Sequence, residues 1–228
     1  MTLTALHTPT TGIAQILREG DRYLVPPHQR DFSWSEDEIG QLIGDIEDAR
    51  RGTQDEYFLG LMVFMPSAPR EYTILDGQQR LATATILLSA IRSWLLERSY
   101  GEDAAKIQSD YIAERQLGGS DNVPRMVLNE INNPVFEQSV VRQCALADLQ
   151  KAVDLLPRYH PNRRLYEAVL CCRRRVNELA DRCNGDPARY LFNMVHYLEN
   201  NVKIVRLVVP NEANAYTVFE TLNYRGLD

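Results

Sequence analysis

Apolar positions along the chain follow two different periods, and the switches between them mark its elements. After a loose tail over residues 1–10, Ile13, Ile16 and Leu17 share one face of a short helix that Gly20 ends. Arg22 to Val25 reads as a short strand, stopped by Pro26-Pro27, which cannot donate to a ladder. VPPHQRDFSW (25–34) follows as an extended, proline-led loop. Ser35 is then an N-cap with Glu38 three residues on, a capping box. Ile39, Leu42, Ile43 and Ile46 carry that helix to Arg51, and Gly52 marks its end. Tyr57 to Met65 (YFLGLMVFM) is nearly all apolar and predicts a central strand buried on both faces. Gly60 inside it marks a close approach by another backbone or by a ligand. Pro66 to Arg70 is a turn, and Glu71 to Leu75 pairs back as a hairpin. The chain turns at Asp76-Gly77 and enters a helix to Arg98 with Leu81, Ala84, Ile86, Leu87, Leu88, Ile91 and Leu95 on its apolar face.

The later pattern is mostly helical. One helix is expected over 104–116, then a Gly-Gly-Ser-Asp loop, then a short strand or extended piece from Arg125 to Asn129. From Asn133 to Asn200, helices carry Val135, Phe136, Val140 and Val141, then Leu165, Val169, Leu170, Val176 and Leu179, then Leu191, Val195 and Leu198. Val202 to Val209 is a strand, and Asn211 starts a last helix through Ala215, Val218, Phe219 and Leu222. The fold class is therefore α/β, a small mixed sheet with a large helical portion. Residues 10–98 form the α/β core, 99–200 the helical region, and 201–228 a strand and helix that return to it. The chain closes on an Arg-Gly turn with no further element, so it is expected to be a fragment of a longer protein.

With 228 residues, 44% of them apolar, the chain can bury a core of its own. No apolar run reaches membrane-span length and no signal peptide opens the chain, so no membrane role and a cytoplasmic location are expected. Net charge is −6, which excludes a surface that is a nucleic-acid footprint throughout and leaves room for a local basic cleft. Cys144, Cys171, Cys172 and Cys183 contain no CxxC pair, and the four histidines are scattered, so the thiols read as reduced and buried rather than as zinc ligands.

Three polar clusters carry candidate chemistry. The first holds Gln29 and Arg30 with Phe32 and Trp34; it is either a surface loop with two core aromatics or a set that holds phosphate and stacks bases. The second, Asp76-Gly77-Gln78-Gln79-Arg80, sits where a strand ends and a helix begins. There, helix N–H groups and the carboxyl end of a strand both favour an anionic ligand. Asp76 either caps the helix or holds Mg²⁺, Gly77 permits close backbone approach, and Gln78 or Gln79 is exposed or orients a water. Arg80 pairs with a carboxylate or grips phosphate bidentately. The third, Asn223-Tyr224-Arg225-Gly226, is a helix end with Asn and Gly as caps or a further part of the site. No Walker loop, G-x-S-x-G elbow, HExxH or HNH-type cluster is present.

Taken in order, VPPHQRDFSW (25–34), ILDGQQR (74–80) and FETLNYRG (219–226) resemble the motifs of the DGQQR family. This is the GmrS-like N-terminal domain of GmrSD-type modification-dependent restriction systems, found also in phosphorothioate-sensing SspE and in BrxU-like defence proteins. YFLG (57–60) is similar to the strand that precedes the DGQQR hairpin there. His28 stands where the family pattern has an aromatic residue, and Phe32 where it has Tyr.

The resemblance implies a ParB/sulfiredoxin-like fold that binds and hydrolyses a nucleoside triphosphate, GTP or another, with Mg²⁺. It implies a regulatory sensor domain ahead of an HNH-type nuclease domain, with DNA bearing phosphorothioate or a modified base as partner, and a homodimer as a further option. On that reading Asp76, Gln78, Gln79 and Arg80 are catalytic, with Asp76 at the metal. Gln29, Arg30, Gly77, Asn223, Arg225 and Gly226 bind nucleotide, and His28, Gln29, Arg30, Phe32 and Trp34 face DNA. The expected arrangement gathers Arg22, Arg30, Arg80 and Arg225 around one cleft. The alternatives are a ParB-like DNA-binding module that uses nucleotide as a clamp without turnover, and a protein-interaction domain with a vestigial site.

Overall fold

The structure is a computed structural model that describes residues 10–52, 55–115, 122–211 and 213–214. Its elements run β1 (Thr10–Gly12), α1 (Ile13–Arg18), β2 (Arg22–Leu24), α2 (Glu36–Arg51), β3 (Tyr57–Ala68), β4 (Glu71–Asp76), α3 (Gln78–Glu97) and α4 (Gly101–Ile107). They continue with β5 (Ala113–Arg115), β6 (Asn122–Pro124), β7 (Met126–Val127), α5 (Asn133–Phe136), α6 (Leu146–Leu155), α7 (Arg163–Asp181), α8 (Pro187–Asn200) and β8 (Val202–Val208). Two π-helical turns, Gln108–Ile112 and Glu137–Val141, extend α4 and α5. The fold is mixed α/β: a six-stranded sheet ordered β1-β8-β3-β4-β2-β7, and a small antiparallel pair β5-β6.

Strand direction positions the site. β2 runs parallel to both β4 and β7, while β3 is antiparallel to β4 and parallel to β8. The carboxyl ends of β2 and β4 therefore lie side by side on one edge of the sheet. The loop after β2 and the turn after β4 emerge together there, the position at which α/β sheets bind ligands.

Alternation along the strands separates two layers. Met62 and Phe64 of β3, Ile74 of β4, Tyr23 of β2 and Ile204 of β8 join a continuous core to which α1 through α8 all contribute. The opposite face carries a smaller cluster of Val63, Leu207 and Val209, flanked by Leu61, Met65 and Leu75. At the centre lies α3, buried on nearly every side, with Leu81, Ile86, Leu88, Ile91 and Leu95 almost fully enclosed. Each such side chain contributes about 1.5–3 kcal/mol of hydrophobic stabilisation. This helix thus fixes its own N-terminus rigidly against the sheet edge.

Several local expectations hold. The Ser35–Glu38 capping box starts α2, with the Ser35 N–H donating to Glu38 Oε2 at 2.7 Å, and Gly52 ends the helix. Others need correction. Thr10 belongs to β1 rather than to a tail, because β1 pairs with β8, Thr10 lying opposite Val205 near the other end of the chain. β3 runs on through Pro66 to Ala68: its pairing with β8 ends at Phe64, so Pro66 breaks no ladder there, and the strand bulges between Pro66 and Ala68. Phe58 is 62% exposed, so β3 is central without being covered along its whole length. The helix expected over 104–116 spans Gly101–Ile107, opens into a π turn, and passes into β5 at Ala113. The last helix, expected from Asn211, is described only at Ala213 and Asn214, which are helical; the Gly-Gly-Ser-Asp loop, the rest of that helix from residue 215 and the cluster at 223–226 lie outside the described residues.

Candidate functional site

The loop after β2 is held by side-chain amides. Pro26 and Pro27 end the strand, and the side chain of Gln29 continues its work: Nε2 donates to the carbonyls of Ile74 at 2.8 Å and Leu75 at 3.0 Å. Gln29 is thus a bridge from the loop to the last residues of β4. Gln79, in the first turn of α3, holds the other side of the loop. Its Nε2 donates to Asp31 O at 3.1 Å and its Oε1 accepts from the Ser33 N–H at 3.0 Å. Gln78 Nε2 donates to Arg30 O at 2.9 Å, while its buried Oε1 accepts from none of the described residues.

Behind the loop sits an asparagine network. Asn129 Nδ2 donates to Gln29 O and to Asp31 Oδ1, Asn132 Oδ1 accepts from the Phe32 N–H at 2.7 Å, and Asn132 Nδ2 donates to Asn162 Oδ1 at 2.8 Å. Asn162 is the N-cap position of α7, so the helical region anchors the loop. The sequence reading passed over Asn129 and Asn132. The polar run Asn129-Glu130-Ile131-Asn132-Asn133 among apolar segments was the available signal, and nothing local in it points to residues 100 positions earlier.

The turn between β4 and α3 depends on glycine. Gly77 has φ of 97°, the left-handed region, and a Cβ there would lie 2.6 Å from Met62 Cε and 3.1 Å from Met62 Cβ. The close approach at Gly77 is therefore to Met62 of the neighbouring strand. The first intrahelical bond is the Leu81 N–H to Gly77 O, so the N–H groups of Gln78, Gln79 and Arg80 precede the hydrogen-bonded ladder. The helix dipole places partial positive charge at this end. Arg80 lies along β3, donating to Leu59 O at 3.2 Å and pairing with Asp76 Oδ2 at 3.1 Å. Gly60, with φ of 115°, makes room for it: a Cβ there would meet Arg80 Nη1 at 2.6 Å. The neighbour that Gly60 admits is this guanidinium.

These elements enclose a cleft of about 280 Å³ lined by Gln29, Arg30, Trp34, Leu75 and the five residues Asp76 to Arg80. Two clusters far apart in sequence meet in it. Arg30 is exposed and its guanidinium has no partner among the described residues, whereas Arg80 keeps only 20% of its side chain exposed. Among the described residues Asp76 is the sole carboxylate in the lining, and its side chain is 47% exposed. An accessible carboxylate beside guanidinium groups is a donor that could hold Mg²⁺, an ion that takes one or two carboxylates together with phosphate oxygens. Among the described residues no cluster of three or more His, Cys, Asp or Glu could hold a metal by itself.

Some expected members fall elsewhere. Phe32 is 4% exposed and belongs to the core, so its ring offers no stacking surface. Trp34 packs partly on the core and lines the cleft with what remains. His28 is exposed but does not line the cleft. Arg22 pairs with Glu71 at the start of β4, the far end of the strand from Asp76, so it is excluded from the site. Asn223, Arg225 and Gly226 lie outside the described residues. Among those described, no helix is long and apolar enough to cross a membrane, and all four cysteines are free.

The cleft thus lies at the carboxyl ends of β2 and β4 in a mixed α/β domain. The chain belongs to a family described as the N-terminal domain of the GmrSD restriction endonuclease, which it matches over residues 13–228. That membership places it among the proteins of restriction systems. A comparison with curated proteins found no match.

Proposed function

We propose that this chain is the nucleotide-binding regulatory domain of a modification-dependent DNA restriction protein, hydrolysing a nucleoside triphosphate and passing the state of its DNA to a separate nuclease domain. The observation that carries the reading is the convergence of Arg30, Arg80 and the α3 N-terminus on one cleft, with the Arg30 guanidinium unpaired among the described residues. Family membership supplies the restriction context.

The roles follow from donor capacity. Arg80 uses one donor on Leu59 O and one on Asp76, which leaves three of its five N–H groups for phosphate oxygens. Arg30 contributes a second guanidinium and the first turn of α3 contributes backbone N–H groups. Asp76 is the residue to hold Mg²⁺, which would neutralise phosphate charge when bound. Trp34 walls the cleft beside Arg30 and is the remaining aromatic for a base. Gln78, whose buried Oε1 has no described partner, is the amide left to orient a water if its side chain turns toward the cleft, because both ends of Gln79 are engaged by the loop.

The test is phosphate release from each of the four common nucleoside triphosphates with Mg²⁺, with and without modified duplex DNA. We expect turnover with at least one of them, and loss of about 10²-fold or more in Asp76→Ala and Arg80→Ala. Folded protein that releases no phosphate under any of these conditions refutes hydrolysis, and variants with unchanged rates refute the site. The full engagement of Gln79 favours a second reading, a DNA-binding module clamped by nucleotide without turnover. Nucleotide binding in the absence of any phosphate release would select it.

A further inference from the structure

On the far part of α3 a buried cation stands without a counter-ion among the described residues. Arg92 is 3% exposed and makes no salt bridge to any described residue. Its partners are neutral: Gln108 Oε1, the Val141 carbonyl at 3.2 Å and Ser89 Oγ at 3.0 Å, while its Nε has none. Burial, with Arg173 nearby, lowers its pKa to about 10. Desolvating a guanidinium without a neutralising charge is costly, so a protein that keeps one has somewhere to use it.

The surroundings supply that place. Arg92 lines a cleft of about 310 Å³ together with Gln108, Val141, Arg142 and Gln143. Among the described residues two guanidinium groups line it and no carboxylate does, in a chain whose net charge is −6. The two π-helical turns meet here, Gln108 Nε2 donating to Val141 O at 3.2 Å. Such turns are uncommon and concentrate at functional sites. Gln143, at the rim, has φ of 74°, a backbone state that non-glycine residues adopt at a cost. Arg142 extends from the same rim, two-thirds exposed and paired with Glu137 at 2.6 Å.

We propose that this cleft is a second ligand site, separate from the one at the α3 N-terminus, that takes a small phosphate-bearing anion on Arg92 and Arg142. Arg92 supplies the buried charge, Arg142 the accessible one, and the side-chain amides of Gln108 and Gln143 the neutral donors.

The experiment uses the chain with Arg30→Ala and Arg80→Ala, so that the cleft at the α3 N-terminus does not respond. Thermal unfolding is followed against inorganic phosphate, and separately against a nucleoside monophosphate, with chloride at matched ionic strength as control. Saturable stabilisation by phosphate is expected, weakened about tenfold by Arg92→Gln and about threefold by Arg142→Gln. The monophosphate arm separates free phosphate from a nucleotide as the source of the group. If Arg92→Gln does not fold, the surface variant Arg142→Gln decides alone. Phosphate that stabilises no more than chloride, or equally in both variants, overturns the proposal. So does a short DNA duplex that binds where phosphate and monophosphate do not.

Discussion

Arg30 and Gln79 touch the same loop and are expected to fail in opposite ways. Arg30 is exposed and its side chain has no described partner, so Arg30→Ala should leave stability within about 0.5 kcal/mol and weaken nucleotide binding. Gln79 is 5% exposed and satisfies one backbone donor and one acceptor. Gln79→Ala strands both, at a cost of about 1–3 kcal/mol for each group left unpaired. Paired denaturant melts and nucleotide titrations check this. A stable Gln79→Ala, or a destabilised Arg30→Ala, would reverse the division between positioning and ligand contact. The identity Gln-Gln was readable as chemistry, but not the division of labour between the two. That depends on which amide faces the loop, a property of the α3 first turn against a segment some 48 residues earlier.

At the scale of elements, the β4–α3 turn works only as tightly as glycine allows. Gly77→Ala forces a non-glycine residue to φ of 97° and drives a methyl into Met62 on β3. We expect a loss of at least about 2 kcal/mol from the strain and overpacking together. In a Met62→Ala background, itself destabilised by the cavity it leaves, Gly77→Ala should cost less, since the reach of the side chain is gone and the φ penalty remains. A double-mutant cycle measures the coupling, and additive losses would show that Met62 is not the obstacle. The sequence predicted a glycine turn here because Asp-Gly follows an apolar strand. It left open what approaches that glycine, since the register of β3 against β4 is irregular at Val63/Phe64 and no local pattern encodes the shift. The asparagine network is also an element-scale device, tying the start of α7 to the loop through Asn132.

For the whole molecule, charge limits how DNA can bind. The chain carries 25 Lys plus Arg against 31 Asp plus Glu, and the cleft at the α3 N-terminus gathers two arginines. DNA held through those two alone should show log K falling against log salt with a slope of about −2. Titration of duplex DNA from low to physiological salt checks it. A slope several-fold steeper would mean that a different basic face makes the contact. The main core bears on this too. The strand Met126–Val127 and helices α4 to α8 share it with the sheet, so a ligand bound at the loop would act on one packed body.

The sequence by itself determined the local terms: period-2 and period-3.6 runs, the capping box at Ser35, the glycine turn after β4, and which polar clusters interrupt apolar runs. Those signals are short-range, because propensity and patterning act over one or two turns of chain. Only the tertiary structure decided which clusters meet. Strand order put the ends of β2 and β4 on one edge, and β1 found β8 across the length of the chain. The same packing turned Phe32 into the core, moved Arg22 to the wrong end of its strand for the site, and left Arg92 buried without a counter-ion among the described residues. Each outcome depends on long-range register and on burial, and both are set by the summed packing of the whole core.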